Sequence, residues 1–451
     1  MAHSSDIARI AVADLRRRVQ YSVAPHQVIF VEGARQVGKT TLIEQALVGL
    51  DNVFSVNLEV NARLRKKVDQ TQSFEEFRTI VSAELRLPKQ TDFVLFIDEA
   101  QESEMLGAYV RSIKEQWRNA RVILSGSSMK RIFRSDVRVP VGRFDRLILK
   151  PFSFSEFLLA VGKSSYVELL TQFSPQTATK LTPLLHDALL AEFDQYLAVG
   201  GLPRVVTTFV AGADYAAVRE EIVLQQEEDF VRKERLENSH FFDLALSAVA
   251  DHLGYPSKNS YIDCSSRESK ALFARLEDWH LVQRINQRSF SSTSQFYPKR
   301  YLYDLGVAQY VRQHPFPDLS ILSSSNKVLR GQLGGLFENA VLLGLQSDQL
   351  TPVRILSWRQ GAQNKSEIDF VLREQISIPI EVKAKLKISP RVFAPLRRYL
   401  KDTDQQLGIV VSAAPFRLIE EGGMKLVNLP IYLAKLPVIQ SLVEELGVGA
   451  R

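Results

Sequence analysis

A glycine-rich string near the N-terminus has the residue types and spacing of a phosphate-binding loop. It reads Gly-Ala-Arg-Gln-Val-Gly-Lys-Thr over residues 33–40, directly after the apolar run of residues 28–31 and before a helical pattern. In such a loop, backbone N–H groups and the helix N-terminus bind phosphates, the lysine reaches the β- and γ-phosphates, and the threonine can ligate Mg²⁺. The string therefore predicts an ATP site with Mg²⁺, formed by Gly33, Ala34, Arg35, Gln36, Val37, Gly38, Lys39, Thr40 and Thr41.

Two acidic residues have the position of the metal-binding and water-activating groups that ATP hydrolysis needs. Asp98 and Glu99 follow the apolar run of residues 94–97, which predicts a central strand ending beside the loop. We expect Asp98 to hold Mg²⁺ through water and Glu99 to polarise the water that attacks the γ-phosphate. An adjacent catalytic glutamate favours hydrolysis over phosphoryl transfer to a small acceptor.

Polar residues after the next predicted strand could complete this site. The apolar residues 122–124 end in Ser-Gly-Ser-Ser, where Ser125 or Ser127 could sense the γ-phosphate; an ordinary serine-rich turn is the alternative. Farther along, Arg143 is the first choice for an arginine finger that acts in the site of a neighbouring subunit. The alternative for each arginine of this stretch is an ordinary surface position: Arg131, Arg134, Arg138 and Arg143.

With several further strings, these motifs make the chain resemble a family of prokaryotic AAA+ ATPases that carry a C-terminal domain of uncharacterised function. The strings concerned are Phe96-Ile-Asp-Glu-Ala-Gln101, Leu124-Ser-Gly-Ser-Ser128, Gly142-Arg143, and residues 149–157, 196–203 and 303–306. The resemblance implies a parallel sheet with a helical lid, and a homo-oligomer, of which a hexamer is one form. It also implies that Pro203 abuts the nucleotide, because its Gly-Gly-Leu-Pro string is similar to the Gly-x-Pro element of STAND-type ATPases. A turn between two helices is the alternative.

The last domain of this family resembles PD-(D/E)xK nucleases, which include archaeal Holliday junction resolvases. Asp369 precedes Glu381-Val-Lys383 by twelve residues, and Glu338 lies on the preceding predicted helix. The resemblance implies that Glu338, Asp369 and Glu381 hold a second Mg²⁺ or Mn²⁺ ion and that Lys383 orients the attacking water. Ile368 stands where such nucleases often have proline, and Glu-x-Lys strings are common by chance. A nuclease fold that binds DNA without cleaving it is therefore the alternative.

Two segments are candidates for DNA contact. Residues 238–310 have the pattern of a winged helix, with Arg267 and Lys270 near the start of its third helix, although winged helices in AAA+ lids also serve only in packing. A basic cluster surrounds the nuclease-like residues, with a solvated helix face as the alternative: Lys383, Lys385, Lys387, Arg391, Arg397, Arg398 and Lys401. Duplex or branched DNA is the expected partner.

Composition sets wider bounds on the class of protein. The chain of 451 residues is 45% hydrophobic and 24% charged, which excludes a mainly disordered or collagen-like protein. Its net charge of +6 permits a polyanionic partner without requiring one. The single cysteine, Cys264, excludes an internal disulfide and a cysteine-based metal site. Neither a signal-peptide pattern nor an apolar run of about 18 residues is present, so we expect a cytoplasmic protein without a membrane partner.

The expected fold class is α/β multidomain. We predict a P-loop AAA+ core over residues 1–160, a helical lid over 161–237, a winged helix over 238–310, and a restriction-endonuclease-like α/β domain over 311–451. The predicted function is Mg²⁺-dependent ATP hydrolysis coupled to DNA binding and processing. The alternatives are a STAND-like regulatory switch gated by ATP, and a DNA-binding ATPase with a catalytically inactive nuclease fold.

Overall fold

The computed structural model describes most of the chain, namely residues 7, 9–21, 28–133, 144–236, 240–289, 296–312, 314–360, 367–374 and 376–448. Its β-strands are β1 (Val28–Glu32), β2 (Val53–Asn57), β3 (Phe93–Asp98), β4 (Ala120–Gly126), β5 (Phe144–Ile148), β6 (Val282–Ile285), β7 (Gln287–Arg288), β8 (Lys299–Leu302), β9 (Ile355–Arg359), β10 (Glu367–Arg373), β11 (Ser377–Lys383), β12 (Leu407–Ser412), β13 (Arg417–Glu421) and β14 (Met424–Pro430). Its α-helices are α1 (Val12–Tyr21), α2 (Lys39–Leu47), α3 (Ala62–Asp69), α4 (Phe74–Leu85), α5 (Leu106–Gln116), α6 (Met129–Ile132), α7 (Phe154–Ala160), α8 (Ser164–Thr171), α9 (Pro183–Val199), α10 (Pro203–Val210), α11 (Tyr215–Glu234), α12 (His240–Asp251), α13 (Ser266–Asp278), α14 (Leu305–Tyr310), α15 (Lys327–Gln346), α16 (Ala394–Thr403) and α17 (Leu436–Glu445).

Strands β1–β5 form a parallel sheet in the order β2-β3-β4-β1-β5. Strand β1 is buried along its whole length: Val28 and Phe30 belong to one hydrophobic core, and Ile29 and Val31 to another. A strand that is apolar on both faces fits the middle of a sheet covered on both sides. Strands β1, β3 and β4 confirm the strands predicted at residues 28–31, 94–97 and 122–124. Strand β5 was not predicted, because Phe-Asp-Arg-Leu-Ile contains no continuous apolar run.

The strand order decides which residues meet at the edge of this sheet. Strand β4 lies between β1, which leads into the glycine-rich loop, and β3, which ends in Asp98. Because the carboxyl ends of parallel strands meet at one edge, the serines that end β4 lie between the loop and the acidic pair.

A helical region, α7–α11, follows the sheet, as the sequence predicts. Its two long helices begin at side-chain caps: Thr182 accepts a hydrogen bond from the N–H of Leu185 before α9, and Asp214 accepts from the N–H groups of Ala216 and Ala217 before α11. Such caps satisfy N–H groups that have no partner within the helix. Helix α11 then packs against α10, α12 and α14 and connects the helical region to the middle of the chain.

The middle segment contains, in the predicted order, α12, a 3₁₀ turn at Asn259–Tyr261, α13 and the antiparallel pair β6–β8. It differs from a free winged helix in two respects. Strand β8 is buried at all four positions, and β7 pairs with β9 of the C-terminal sheet. Residues on both sides of position 310 therefore share one sheet and one hydrophobic core.

The C-terminal region is a mixed sheet in the order β13-β14-β12-β11-β10-β9-β7. Strands β10 and β11 form the expected antiparallel hairpin, and β12 lies parallel to β11. Helix α15, which carries Glu338, packs against β11. Strands β13 and β14 were not predicted. Among the described helices, none combines the length and apolarity required to cross a membrane.

Candidate functional sites

The glycine-rich loop packs so closely on the neighbouring chain that a side chain at its first position would not fit. Gly33 has φ +156°, and a Cβ atom there would collide with the carbonyl oxygen of Leu149, directly after β5. Gly38, with φ +89°, forms the N-cap of α2, whose first residue is Lys39. The loop therefore leads from β1 into the N-terminus of α2, in the arrangement that binds phosphates.

Lys39 is a buried cation that lies above the loop. Its side chain is 6% exposed, and its Nζ donates to the carbonyl oxygens of Gly33 and Ala34 at 3.1 and 2.9 Å. Burial lowers the pKa of Lys39, while the nearby carboxylates of Glu99 and Asp98 oppose that shift. A bound polyphosphate would give the Lys39 ammonium an anionic partner, which is stronger than the backbone carbonyl oxygens that it contacts here.

Asp98 and Thr40 meet as Mg²⁺ binding requires. The Thr40 hydroxyl donates to Oδ2 of Asp98 at 2.9 Å, and Asn57 Nδ2 donates to the same oxygen at 3.1 Å. Oxygen ligands of this kind suit Mg²⁺, so the residues present fit the ion that the loop implies. A cation held by the Thr40 hydroxyl would lie within reach of the carboxylate.

The two candidate sensor serines differ in their contacts. Ser125 donates its hydroxyl to Oδ1 of Asp98 and so positions the acid. Ser127 is 1% exposed, and within the described residues its hydroxyl oxygen has no hydrogen-bond partner. Ser127 is therefore the better candidate for a polar group that contacts a bound nucleotide.

Glu99 has a strained backbone, and a neighbouring side chain holds its carboxylate. Its φ of +50° lies in the left-handed region, and the amide of Gln101 donates to its Oε2. Non-glycine residues adopt this conformation where the surrounding structure imposes it, often at functional sites. Glu99 lines the cavity beside Lys39 and Thr40, where a water-polarising group would act.

A cavity of about 340 Å³ lies between the loop and the helical region. Its lining comprises the loop and its neighbours, together with residues of α10 and α11: Ile7, Arg9, Arg35, Gln36, Gly38, Lys39, Thr40, Thr41, Glu59, Glu99, Phe152, Pro203, Arg204, Gln225, Gln226 and Asp229. Pro203 was expected here, and its ring lies 3.6 Å from the position of a Cβ on Gly38. Arg35 forms an ion pair with Asp229, and Gln36 donates to Gln225 at 2.6 Å, so α11 is tied directly to the loop.

The fold also brings Arg9, which the sequence did not predict as a site residue, to the same cavity. Its guanidinium donates to the carbonyl oxygens of Val37 and Lys150 at 2.9 and 2.8 Å and pairs with Glu156 at 2.9 Å. A single arginine in an N-terminal segment carries no motif, so only the fold reveals its place. Arg143, the predicted arginine finger, lies outside the described residues.

The nuclease-like residues also come together. Phe370 pairs with Ile380 across strands β10 and β11, so Asp369 and Glu381 lie opposite each other at the next position of the hairpin. Glu381 accepts a hydrogen bond from Lys383, whose Nζ lies 3.9 Å from Asp369 Oδ2. Both carboxylates are buried, with exposures of 7% for Asp369 and 6% for Glu381. The predicted convergence of these residues is present.

A residue that the sequence analysis did not select for this cluster occupies its centre. Lys299, the first residue of β8, is 1% exposed. Its Nζ lies 2.7 Å from Glu367 Oε1, 3.1 Å from Asp369 Oδ1 and 3.2 Å from Glu338 Oε2. The hydroxyl of Tyr301 donates to Glu338 at 2.7 Å. We call these residues, with Glu381 and Lys383, the carboxylate cluster.

The charges of the carboxylate cluster perturb one another strongly. Burial and the nearby Asp369 raise the pKa of Glu338 to about 7 and that of Glu381 to about 8. Burial would also raise the pKa of Asp369, but Lys299 and Lys383 hold it below its ordinary value. Burial would lower the pKa of Lys299, but Glu338 and the other carboxylates raise it well above its ordinary value.

The cluster does not form a metal cage in this arrangement. Across the part of the chain that the structure describes, no group of three or more His, Cys, Asp or Glu residues is arranged to hold a metal ion. The predicted ligands Glu338 and Asp369 face the Lys299 ammonium instead. The second Mg²⁺ or Mn²⁺ ion therefore does not fit the residues as they stand.

A groove of about 520 Å³ runs beside the carboxylate cluster. Glu338 lines it together with four basic residues: Lys327, Arg330, Lys383 and Lys385. Two of the predicted basic residues make other contacts: Arg397 forms a bidentate ion pair with Glu421, and Arg398 donates to Gln360 at 2.9 Å. The basic surface next to the cluster thus includes α15, which the sequence analysis had not considered for this role.

Helix α13 presents a second basic surface. Arg267 and Lys270 are exposed near its N-terminus, as predicted, while Leu272, Phe273 and Leu276 face the core. At the other end of α13, the indole N–H of Trp279 donates to Glu234 of α11 at 2.7 Å. The helix is therefore fixed to the helical region and leaves its first turn in solvent.

Three parts of the chain match family models. Residues 25–158 match the AAA domain, residues 190–318 match a domain of unknown function (DUF8612), and residues 333–432 match another domain of unknown function (DUF4143). A search of the curated proteins found no match.

Solved structures similar to this chain include a Walker-type ATPase, Cdc6p and an ORC1 protein. A Walker-type ATPase of Pyrococcus abyssi is 14% identical with a TM-score of 0.44, and the match covers 68% of this chain and 96% of that one. Cdc6p of Pyrobaculum aerophilum is 12% identical with a TM-score of 0.26, covering 67% and 92%. The ORC1 protein of Aeropyrum pernix in complex with DNA is 14% identical with a TM-score of 0.27, covering 66% and 90%. Similarity at this level carries no inference about function.

Proposed function

We propose that this chain, whose residues 25–158 match the AAA domain, hydrolyses ATP with Mg²⁺ and couples hydrolysis to binding of DNA. One observation carries the first half of this proposal. Lys39, Thr40 and Glu99 line a single cavity of about 340 Å³, and the Thr40 hydroxyl contacts Asp98.

Each residue has a distinct task in hydrolysis. Lys39 and the N–H groups at the start of α2 bind the terminal phosphates and stabilise the charge that develops during transfer. Mg²⁺, when bound, neutralises phosphate charge. Thr40 and Asp98 are the side chains that would hold it. Glu99, positioned by Gln101, accepts the proton of the attacking water, and Ser127 offers a hydroxyl for the γ-phosphate.

Oligomerisation would supply a further cation to this site. Arg143 from a neighbouring subunit remains our candidate for an arginine finger. Among the described residues of the same chain, the arginines Arg9, Arg35 and Arg204 also line the cavity, but each pairs with a carboxylate. Arg9 pairs with Glu156, Arg35 with Asp229, and Arg204 forms a bidentate ion pair with Glu221 at 2.7 and 2.9 Å. Because these arginines are already paired with carboxylates, an arginine from a neighbouring subunit could supply the additional cation.

The basic groove supports the second half of the proposal. Lys327, Arg330, Lys383 and Lys385 line one groove, and basic side chains placed together in this way can neutralise phosphates of a nucleic-acid backbone. The exposed Arg267 and Lys270 of α13 offer another contact for the same polymer. Because groove and ATP cavity lie in one continuous fold, occupancy of one can influence the other.

A STAND-like regulatory switch is the second candidate, and one observation favours it. Pro203 lies against Gly38 of the loop, and α11 is tied to Arg35 and Gln36, so the helical region can respond directly to the nucleotide. In that case the C-terminal region would only recognise a ligand. The position of Lys299 favours a third form of the proposal, a DNA-binding ATPase without nuclease activity.

One experiment separates these functions. ATP turnover and DNA binding are measured together with single-stranded, duplex and four-way-junction DNA, with a Lys39→Ala variant as the inactive control. DNA-stimulated turnover supports coupling. DNA binding without any change in turnover leaves an uncoupled ATPase, and turnover without DNA binding leaves the regulatory switch. A chain that neither binds nor hydrolyses ATP contradicts the proposal altogether.

A further inference from the structure

The acidic residues next to the basic groove already hold a cation, and that cation belongs to the chain. The Lys299 ammonium lies within 3.2 Å of carboxylate oxygens of Glu338, Glu367 and Asp369. We propose that Lys299 keeps the carboxylate cluster closed to metal: its ammonium takes the position of a divalent cation, and the carboxylates become a Mg²⁺ or Mn²⁺ site only when that ammonium leaves. This inference does not depend on the ATPase proposal.

An ammonium and a metal ion cannot share this position. Mg²⁺ binds carboxylate oxygens at about 2.0–2.1 Å, and the Nζ atom lies about 3 Å from the same oxygens that would have to close around the ion. Two cations at so short a distance from each other in a buried site also repel each other strongly. With Lys299 in place, the carboxylates therefore have no room for a metal ion.

The cluster retains unused capacity for a cation. Four carboxylates, those of Glu338, Glu367, Asp369 and Glu381, face two ammonium groups, those of Lys299 and Lys383. Within the described residues, Oε2 of Glu381 is buried and has no hydrogen-bond partner. Removal of the Lys299 charge would leave Glu367 and Asp369 without that cation, next to the groove that Glu338 lines, and a divalent ion could take its place.

Lys299 reaches the cluster from outside the C-terminal segment that matches a family model. It is the first residue of β8, and the side chain of Asn339 holds that strand by donating to the carbonyl of Leu302 at 3.0 Å and accepting from its N–H at 2.7 Å. Just after the strand, the Tyr303 hydroxyl donates to Gln226, which in turn donates to the carbonyl of Arg35 in the phosphate loop. The strand that carries the ammonium is therefore linked to the ATP site through two side chains, those of Tyr303 and Gln226.

Binding of Mn²⁺ to the nucleotide-free chain tests the proposal. Free Mn²⁺ is measured by electron paramagnetic resonance, with Asp98→Asn in all proteins so that the ATP site lacks its carboxylate ligand. We expect Lys299→Met to bind one Mn²⁺ at least about tenfold more tightly than the chain with Lys299. Two controls should not show this gain in affinity. Lys299→Arg keeps a cation at the position, and the double variant Lys299→Met, Asp369→Asn lacks one of the metal ligands.

Two results would overturn the proposal. One is a Lys299→Met chain that folds, as judged by circular dichroism, and gains no Mn²⁺ site. The other is a Mn²⁺ site in the unsubstituted chain that Asp369→Asn removes. If Lys299→Met does not fold, thermal unfolding of the nucleotide-free unsubstituted chain decides. An unchanged melting temperature with Mn²⁺ supports closure, and stabilisation by Mn²⁺ that Asp369→Asn abolishes contradicts it.

Discussion

The backbone N–H of Gly201 donates a 2.7 Å hydrogen bond to Oδ2 of Asp304, one hundred and three residues farther along the chain. Asp304 also caps α14 by accepting from the N–H of Val307. The contact joins two strings that lie far apart in the sequence, Gly-Gly-Leu-Pro at residues 200–203 and Tyr-Asp-Leu-Gly at residues 303–306. Since Pro203 lies against the phosphate loop and β8 ends just before Asp304, this bond connects the ATP cavity to the strand that carries Lys299.

The packing at this junction predicts an unusually sensitive glycine. Gly200 has φ +83°, and a Cβ atom there would collide with Oδ1 of Asp304 and the backbone of Gly306. We expect Gly200→Ala to lower the free energy of unfolding by about 3 kcal/mol, from left-handed strain and overpacking together. Gly212→Ala is the matched control, because Gly212 has φ +69° and nothing within 4 Å of a Cβ. Gly212→Ala should lower the free energy of unfolding, measured by urea denaturation, by about 1 kcal/mol. Equal losses in the two variants would show that the junction is not tightly packed.

Removal of the water-polarising carboxylate should separate binding from hydrolysis. Glu99→Gln keeps the size and position of the side chain but cannot accept a proton, so turnover should fall about 100-fold or more while ATP affinity stays within about threefold. Lys39→Ala should instead weaken ATP binding, because a phosphate contact is lost. Glu104→Gln, an exposed neighbour, serves as the control. Normal turnover by Glu99→Gln, measured as phosphate release, would contradict the role of Glu99.

An arginine finger from a neighbouring subunit should reveal itself in mixed assemblies. Addition of Arg143→Ala subunits to wild-type subunits should depress ATP turnover more than dilution of active sites explains, because each variant subunit damages its neighbour's site. Arg204→Ala is the control, because Arg204 lines the cavity of its own chain. Added Arg204→Ala subunits should lower ATP turnover only by dilution of active sites. Full turnover by a chain that light scattering shows to be monomeric would rule out a contribution in trans.

The groove residues should carry the salt-dependent part of DNA binding. We expect the triple variant Lys327→Ala, Arg330→Ala, Lys385→Ala to weaken binding on all sequences and to reduce the slope of log affinity against log salt by about 1 for each lost phosphate contact. Arg397→Ala is the matched control, because Arg397 already pairs with Glu421. Fluorescence anisotropy over a salt series measures both. An equal effect of Arg397→Ala would place the DNA on α16 instead.

The raised pKa of Glu381 predicts a pH-dependent stability. Burial and Asp369 raise it from 4.5 to about 8, so the folded chain binds this proton more tightly than the unfolded chain. The contribution to the free energy of unfolding is therefore full below pH 4.5 and is lost as the pH rises to about 8. In EDTA, stability of the wild type should fall between pH 5.5 and 8.5 by more than that of Glu381→Gln. The exposed Glu420→Gln should behave like the wild type, and parallel curves for all three would refute the shift.

What the sequence by itself determined was local chemistry. The residues of the phosphate loop adjoin one another, and Asp98-Glu99 follows a continuous apolar run, so motif and element are read together from one short string. The hairpin that brings Asp369 to Glu381 was predictable for the same reason, because twelve residues separate the two acids on adjacent strands.

Only the tertiary structure decided which distant groups act on those motifs. Arg9 and Lys299 carry no signature of their own, and each matters because folding brings it against a residue that does. The strongest case is the carboxylate cluster. Its acids have the identity and spacing of a metal site, yet Lys299 reaches the same oxygens from 70 residues away in the chain. A buried carboxylate needs a cation, and spacing along the sequence cannot tell whether that cation is a metal ion or a lysine that the fold supplies.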